Sequence, residues 1–295
     1  MAGALLTCFL VTLPCRAVRY ERSDSLRVVE LLSRVSSQPA DVCLPLFFAH
    51  QLAGVPYQSA TLETELQQGK SETELTVNMR AFDCTTFVET VAALTLTARS
   101  GSVRWDDFLR YLTLLRYKDG HIDGYASRNH YFSQWVRNGE HLRLLAEIQG
   151  GTDDEATPFQ GRDTLELSYM SAHPDAYPAL RSDRSLLSPI RRREQEASHI
   201  VVSYIPTSRL NGSPKQLADV SNGDIVALVC RTPGLDVSHM GFAAWGSDGQ
   251  LHLLHASSRA GRVMLDTSTL HRYLLAHPSM LGARVVRLTE KPEKD

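Results

Sequence analysis

Residues 82–99 read FDCTTFVETVAALTLTAR. Asp83 is a strong helix N-cap residue. After it, Phe87, Val88, Val91, Leu94 and Leu96 fall mostly on one stripe at helical spacing. The pattern predicts a helix over Cys84–Arg99 with a thiol in its first turn. The first turn of a helix presents free N–H groups and the positive end of the macrodipole, and both favour thiolate over thiol. The Cys84 thiol is therefore expected to ionise below the free-cysteine value of about 8.5. The same N–H groups are placed to meet a developing oxyanion. A cysteine that only fills space is the plainer reading of such a position, and this stretch alone does not choose.

The elements before and just after this helix are also helical. Ser23–Ser36 carries Leu26, Val29, Leu31, Leu32 and Val35 near helical spacing. The apolar run Leu44–Leu52 stops at Gly54-Val55-Pro56-Tyr57, a turn by its glycine and proline. Trp105–Tyr117 and residues 136–150 read as two more helices. Between them, residues 119–135 (DGHIDGYASRNHYFSQW) are too long and too aromatic for a plain connector. Residues 150–163 read as loop, and 164–196 as mixed with a charge-rich helical end.

The period then changes. HIVVSYI (199–205), DIVALVC (224–230), SHMGFAAW (238–245), LHLLHAS (251–257) and RVVRL (284–288) read as short strands, with a short helix over Asp266–Ala276. Helices followed by an antiparallel sheet in the C-terminal third predict an α+β fold.

The chain has 295 residues, 43% hydrophobic and 22% charged, with a formal net charge of −2. That is a globular composition, and it excludes a nucleic-acid partner held by bulk charge. Arg191, Arg192 and Arg193 are followed by Glu194 and Glu196 and read as a solvated surface. Ala4–Leu13 (ALLTCFLVTL) is too short to span a bilayer but fits the core of a signal peptide, although no Lys or Arg precedes it. Residues 1–17 are therefore expected to be a leader and 18–295 a single catalytic domain, exported, periplasmic and monomeric, with no stable membrane insertion after processing. Export leaves Cys43, Cys84 and Cys230, so one thiol stays free even if the other two pair.

A nucleophilic cysteine needs a base. His239 lies on a predicted strand, and the next strand carries His252 and His255. Side chains alternate along a strand, so these last two point to opposite faces and only one can join a shared site. Alternation alone does not select it.

Taken together, PYQSATLE, FDCTTFVETVAAL, RYKDGHIDGYASRNHYFSQW, SHMGF and LHASSRAGRV resemble the NlpC-type papain-like cysteine hydrolases. The nearest branch is the N-acetylmuramoyl-L-alanine amidase-like family. The likeness runs from about residue 50 to the C-terminus. It implies a papain-like core with the nucleophile on a helix N-terminus and a mostly helical insertion (100–196) between nucleophile and base. It also implies Cys84 as nucleophile, His239 as base, His255 as the group orienting His239, and Tyr57 beside the nucleophile. The implied substrate is peptidoglycan or a muropeptide, cut at the amide between N-acetylmuramic acid and L-alanine. Thr85 and Thr86 replace the small residues usual after the cysteine in the wider superfamily. Tyr125, Ser127, Arg128, His130 and Tyr131 are expected to wall the substrate groove, with Arg128 as the partner of a substrate carboxylate.

The alternatives are a stem-peptide endopeptidase cutting between D-Glu and diaminopimelate, and an inactive cell-wall binding module. A zinc amidase would need Cys84, His239 and His255 as ligands, but no HExxH is present; no metal or other cofactor is expected. A lecithin retinol acyltransferase-like enzyme places its histidine before its cysteine, the reverse of the order here. A serine hydrolase built on Ser257 or Ser258 lacks a GxSxG elbow.

Overall fold

The computed structural model describes residues 18–63, 72–150 and 157–290. The expected leader, residues 1–17, lies outside them. A short parallel pair, β1 (Val18–Arg19) with β2 (Leu75–Thr76), opens the fold. Four helices accompany it: α1 (Arg22–Ser33), α2 (Leu44–Gln51), α3 (Cys84–Arg99) and α4 (Trp105–Arg116).

Helix α3 has the expected bounds but not the expected single apolar stripe. Every residue from Thr86 to Thr97 is buried, so α3 is an internal rod. Thr95 and Thr97 are satisfied locally and Glu89 by one deep ion pair. The Thr95 and Thr97 hydroxyls donate to the carbonyls of Val91 and Ala93 at 2.8 and 2.7 Å. Glu89 pairs with buried Arg116 of α4 at 2.7 Å.

An eight-stranded sheet forms the second half. Its strands are β3 (Leu145–Ile148), β4 (Gly161–Thr164), β5 (Val201–Pro206), β6 (Ile225–Cys230), β7 (Val237–Trp245), β8 (Leu251–Ser257), β9 (Arg262–Thr269) and β10 (Met280–Leu288). The order is β4-β5-β10-β6-β7-β8-β9, with β3 also paired to β10, and every pairing is antiparallel. The α+β expectation therefore holds.

Three local expectations are corrected. The helix expected over 136–150 is α5 at Phe132–His141, and Leu145–Ile148 is strand β3. Tertiary contacts decide this. Residues 145–148 pair with Val285–Leu288, and buried Arg284 of β10 grips Glu147 through two bonds of 2.6 and 3.0 Å. Within the expected loop 150–163, Gly161 already begins β4, paired to β5. Asp266–Thr269 belongs to β9, and only Leu270–Leu275 is helical (α9).

The stretch 100–196 also contains α6 (Tyr169–Ala172), α7 (Pro178–Ser182) and α8 (Leu187–Glu196). Because β3 and β4 join the main sheet, this stretch is woven into the fold.

The sheet is covered on both faces. One core joins α3 to it, with Phe87 edge-on to Phe242 of β7 at 5.8 Å. The other gathers Val226, Leu228, Ala243 and Leu253 under Leu270 and Leu274 of α9. Cys43 and Cys230 are free thiols. Among the described residues, no helix is long and apolar enough to cross a membrane.

Candidate active site

Asp83 starts α3 through a capping box. Its carboxylate accepts from the Thr86 N–H at 2.7 Å, and the Thr86 hydroxyl accepts from the Asp83 N–H at 3.1 Å. The other carboxylate oxygen accepts from the Thr61 hydroxyl at 3.1 Å, tying the PYQSATLE stretch to the helix start. Thr86 is therefore a structural half of the cap. Exposed Thr85 instead lines a cavity of about 100 Å³ with Cys84 and His239.

The wall of this cavity combines the start of α3, residues 129–132 with Trp135, and Leu235–Met240 at the start of β7. His239 and Cys84 thus line one cavity from two different elements. The Nε2 of His239 meets Nδ1 of His255 at 2.6 Å, with the two rings nearly perpendicular at 79°. His255 is fully buried. With His239 Nε2 engaged, Nδ1 is its remaining ring nitrogen.

Gly241 makes this contact feasible. A Cβ at Gly241 would come within 2.8 Å of the His255 Cβ and 2.7 Å of the Leu254 carbonyl. The glycine of SHMGF leaves the space that the His255 Cβ and the Leu254 carbonyl occupy. Of the two histidines on β8, the structure brings His255 to His239. His252 is bound elsewhere, to the carbonyls of Asp266 and Ser268 and to Asp248, each at 3.1 Å.

The resting electrostatics correct one expectation. The Cys84 thiol is pushed up to about 11, first by burial and then by the charge of Asp83. Hydrogen bonds from Thr85 and the Met240 backbone pull the other way and do not win. Cys84 keeps part of its surface exposed, but the atoms packed around its sulfur leave a thiolate poorly solvated. His239 is pushed down to about 3 by burial, with His255 and then His277 adding to the effect. The resting pair is therefore a neutral thiol and a neutral imidazole.

The structure divides the other expected site residues. His130 and Tyr131 line the cavity. His130 is held by the Tyr125 carbonyl at 2.8 Å, and the Tyr131 hydroxyl donates to Glu194 at 2.6 Å. Tyr125, Ser127 and Arg128 are not in its wall. Tyr125 is buried in a separate core with its ring under the Arg128 guanidinium. The Ser127 hydroxyl closes a turn onto the Gly124 carbonyl at 2.7 Å.

Arg128 is not available to a substrate carboxylate. It is 7% exposed and already holds Glu63 at 3.0 Å and Glu72 at 2.8 Å. Tyr57 is outside the cavity wall; its backbone bridges to Phe82, just before the start of α3, and burial is the first cause that raises its phenol.

Sequence reading missed Asn129, Phe132, Trp135 and Asp236, all of which line the cavity. The aromatic density of 119–135 pointed to the first three as a group. Asp236, between Leu235 and Val237, had no distinguishing pattern. Among the described residues, no group of three or more His, Cys, Asp or Glu is arranged to hold a metal ion.

Comparison with known proteins adds identity to this geometry. The family described as N-acetylmuramoyl-L-alanine amidase-like matches residues 47–280. A crystal structure of an N-acetylmuramoyl-L-alanine amidase from Bacteroides uniformis is 34% identical, with a TM-score of 0.75 over 83% of this chain and 98% of that one. A xylanase candidate from Bacteroides fragilis is 39% identical, with a TM-score of 0.72 over 81% of this chain and 98% of that one. A Legionella pneumophila protein, 22% identical with a TM-score of 0.66 over 92% and 96% of the two chains, shares the fold. Curated proteins yield no match. The chain belongs to the N-acetylmuramoyl-L-alanine amidase-like family.

Proposed function

We propose that the protein is a cysteine amidase with a papain-like core, and that it cleaves the amide between N-acetylmuramic acid and L-alanine in peptidoglycan or its soluble fragments. The observation that carries this reading is one arrangement. Cys84 in the first turn of α3 and His239 on β7 line the same cavity, and His239 is tied through Nε2 to His255. Family membership supports the amide substrate.

In this reading the Cys84 proton passes to His239 Nδ1 as the sulfur attacks the lactyl carbonyl carbon. The Cys84 backbone N–H faces the resulting oxyanion. The intermediate collapses to a thioester, and His239 returns the proton to the departing L-alanine amine. Water, deprotonated by His239, then attacks the thioester and releases the muramyl carboxylate and the thiol. The neutral resting pair is compatible with this, because the proton moves only as the attack begins.

Residues 18–295 act as one catalytic domain, which the pairing of β3 and β4 into the main sheet supports. Export to the periplasm, where intact peptidoglycan lies, belongs to this reading, and the apolar run Ala4–Leu13 supports it.

A glycosidase, the activity suggested for the Bacteroides fragilis neighbour, would need two free carboxylates at the cavity. Glu89 and Asp236 line it, but both are committed. Glu89 is paired with Arg116, and Asp236 accepts from the N–H groups of Ser133 and Val237 at 2.7 and 2.9 Å.

Mass spectrometry of defined muropeptides treated with wild type and Cys84→Ala tests the proposal. Release of a free peptide beginning at L-alanine, by wild type only, is expected. A shortened glycopeptide would instead indicate a stem-peptide endopeptidase. No change with wild type would leave a binding module.

A further inference from the structure

Two imidazoles in contact raise a problem that one imidazole and a carboxylate would not. The 2.6 Å contact between His239 Nε2 and His255 Nδ1 holds a single proton. If His239 carries it on Nε2, its Nδ1 keeps a lone pair and can take the thiol proton. If His255 carries it on Nδ1, neutral His239 must be protonated on Nδ1 and is useless as a base. Nothing in the histidine pair favours the first state over the second. The choice belongs to the far nitrogen of His255. In the productive state His255 Nε2 bears a hydrogen, and in the dead state it bears a lone pair.

The group facing that nitrogen is Asp266 of β9. Its Oδ2 lies 3.5 Å from His255 Nε2. Among the described residues no hydrogen-bond partner reaches this buried nitrogen, and even Asp266 stands slightly beyond bonding distance. The carboxylate is built in. Its Oδ1 accepts from the Ser268 N–H at 2.8 Å, which turns Oδ2 toward the histidine. Its backbone carbonyl, with that of Ser268, is held by His252 from the neighbouring strand. The β8–β9 register shifts between His252 and Leu254, across this part of β9.

The remaining charged or titratable groups around the pair are Cys84 of α3, Tyr273 of α9, His277 after α9, and Arg259 in the β8–β9 turn. Tyr273 lies edge-on to His255 and roughly parallel to His239, and His277 is bonded to the Tyr273 carbonyl at 2.7 Å. None of these is a hydrogen-bond partner of His255 Nε2.

We propose that Asp266 is a positioning residue that holds the proton of His255 on Nε2 and so makes His239 a base toward Cys84. A carboxylate set against a lone pair repels it, whereas against an N–H it attracts. The dead tautomer is therefore the one Asp266 destabilises. Once His239 takes the thiol proton, the same negative charge stabilises the imidazolium through His255. Burial lowers the basicity of His255 and Asp266 opposes that effect, which agrees with attraction between the two groups.

The catalytic consequence rests on the cysteine-amidase reading, but the tautomer assignment does not. Asp266→Asn presents an amide, which can donate to the His255 Nε2 lone pair and so select the dead tautomer. Nitrogen-15 NMR of the histidine rings, with His255 assigned by its loss in His255→Gln, is expected to show wild-type His255 protonated on Nε2 and the Asp266→Asn variant shifted toward Nδ1. Kinetics on a defined muropeptide are expected to show kcat reduced about 10- to 100-fold in Asp266→Asn with KM within about twofold, and partly restored in Asp266→Glu.

A wild-type His255 protonated on Nδ1, or an Asp266→Asn variant whose kcat stays within about twofold of wild type, overturns the proposal. If wild type hydrolyses no muropeptide but the tautomer still switches with Asp266→Asn, the amidase reading falls and the role of Asp266 in setting the tautomer is supported.

Discussion

His239 Nε2 and His255 Nδ1 stand 2.6 Å apart across the neighbouring strands β7 and β8. The contact engages Nε2 of His239 and leaves Nδ1 as its other ring nitrogen, and Gly241 offers no side chain against the His255 Cβ beside it. Gly241→Ala is expected to displace His255 and lower kcat at least tenfold, at a stability cost of about 1–3 kcal/mol. Steady-state kinetics with a thermal melt checks it. A variant of unchanged activity would show that the histidine contact is not required.

Removing the second imidazole isolates its contribution. His255→Ala is expected to reduce kcat about 10²- to 10⁴-fold while the protein stays folded, since misorienting a catalytic histidine costs on that scale. His252→Ala, which removes a histidine engaged away from His239, is expected to cost far less activity.

Burial of the thiol and the imidazole predicts how stability changes with pH. The His239 pKa in the fold, about 3, lies below its unfolded value, so between the two the unfolded chain binds the extra proton. Stability from this group is present above about pH 6.5 and declines as pH falls toward 3, by at most about 1.4 kcal/mol per pH unit. The Cys84 pKa, about 11, lies above its unfolded value, so stability from the thiol is present at neutral pH and declines as pH rises from about 8.5 toward 11. Urea melts across pH are expected to lose part of the acid slope in His239→Gln and part of the alkaline slope in Cys84→Ala.

Asp83 has two separable roles. It caps α3, and its charge helps hold the neighbouring thiol up. Asp83→Asn keeps a good cap and removes the charge, so the pH midpoint of Cys84 alkylation by iodoacetamide is expected to fall with little loss of stability. Asp83→Ala removes both and is expected to cost about 1–2 kcal/mol.

Arg128 is expected to behave as a scaffold residue. Arg128→Ala leaves the carboxylates of Glu63 and Glu72 without their buried partner and is expected to destabilise by about 3–5 kcal/mol. KM, measured below the melting temperature, is expected to stay near the wild-type value. A large rise in KM without loss of stability would restore Arg128 as a substrate contact.

Much of this protein is legible in its residues alone. Asp83, the apolar run behind it and the period change after residue 199 determine a helix with a thiol at its start and an antiparallel sheet. These are properties of nearby residues, so local propensity and spacing reveal them. Spacing left His252 and His255 as alternatives; the family resemblance selected His255, and the structure sets His255 against His239.

What distance along the chain hides, only the tertiary structure decided. Leu145–Ile148 becomes a strand because β10 supplies its partner, and Arg128 is withdrawn from the cavity because Glu63 and Glu72 meet it inside the protein. The thiol is raised where the helix end alone predicts lowering, because the atoms packed around it outweigh the helix end. Asp266, inside a segment that reads as the start of a helix, faces His255 only after β9 has paired with β8. Charge, burial and proton position at this site depend on what folding brings within a few ångströms, and spacing along the chain does not encode that.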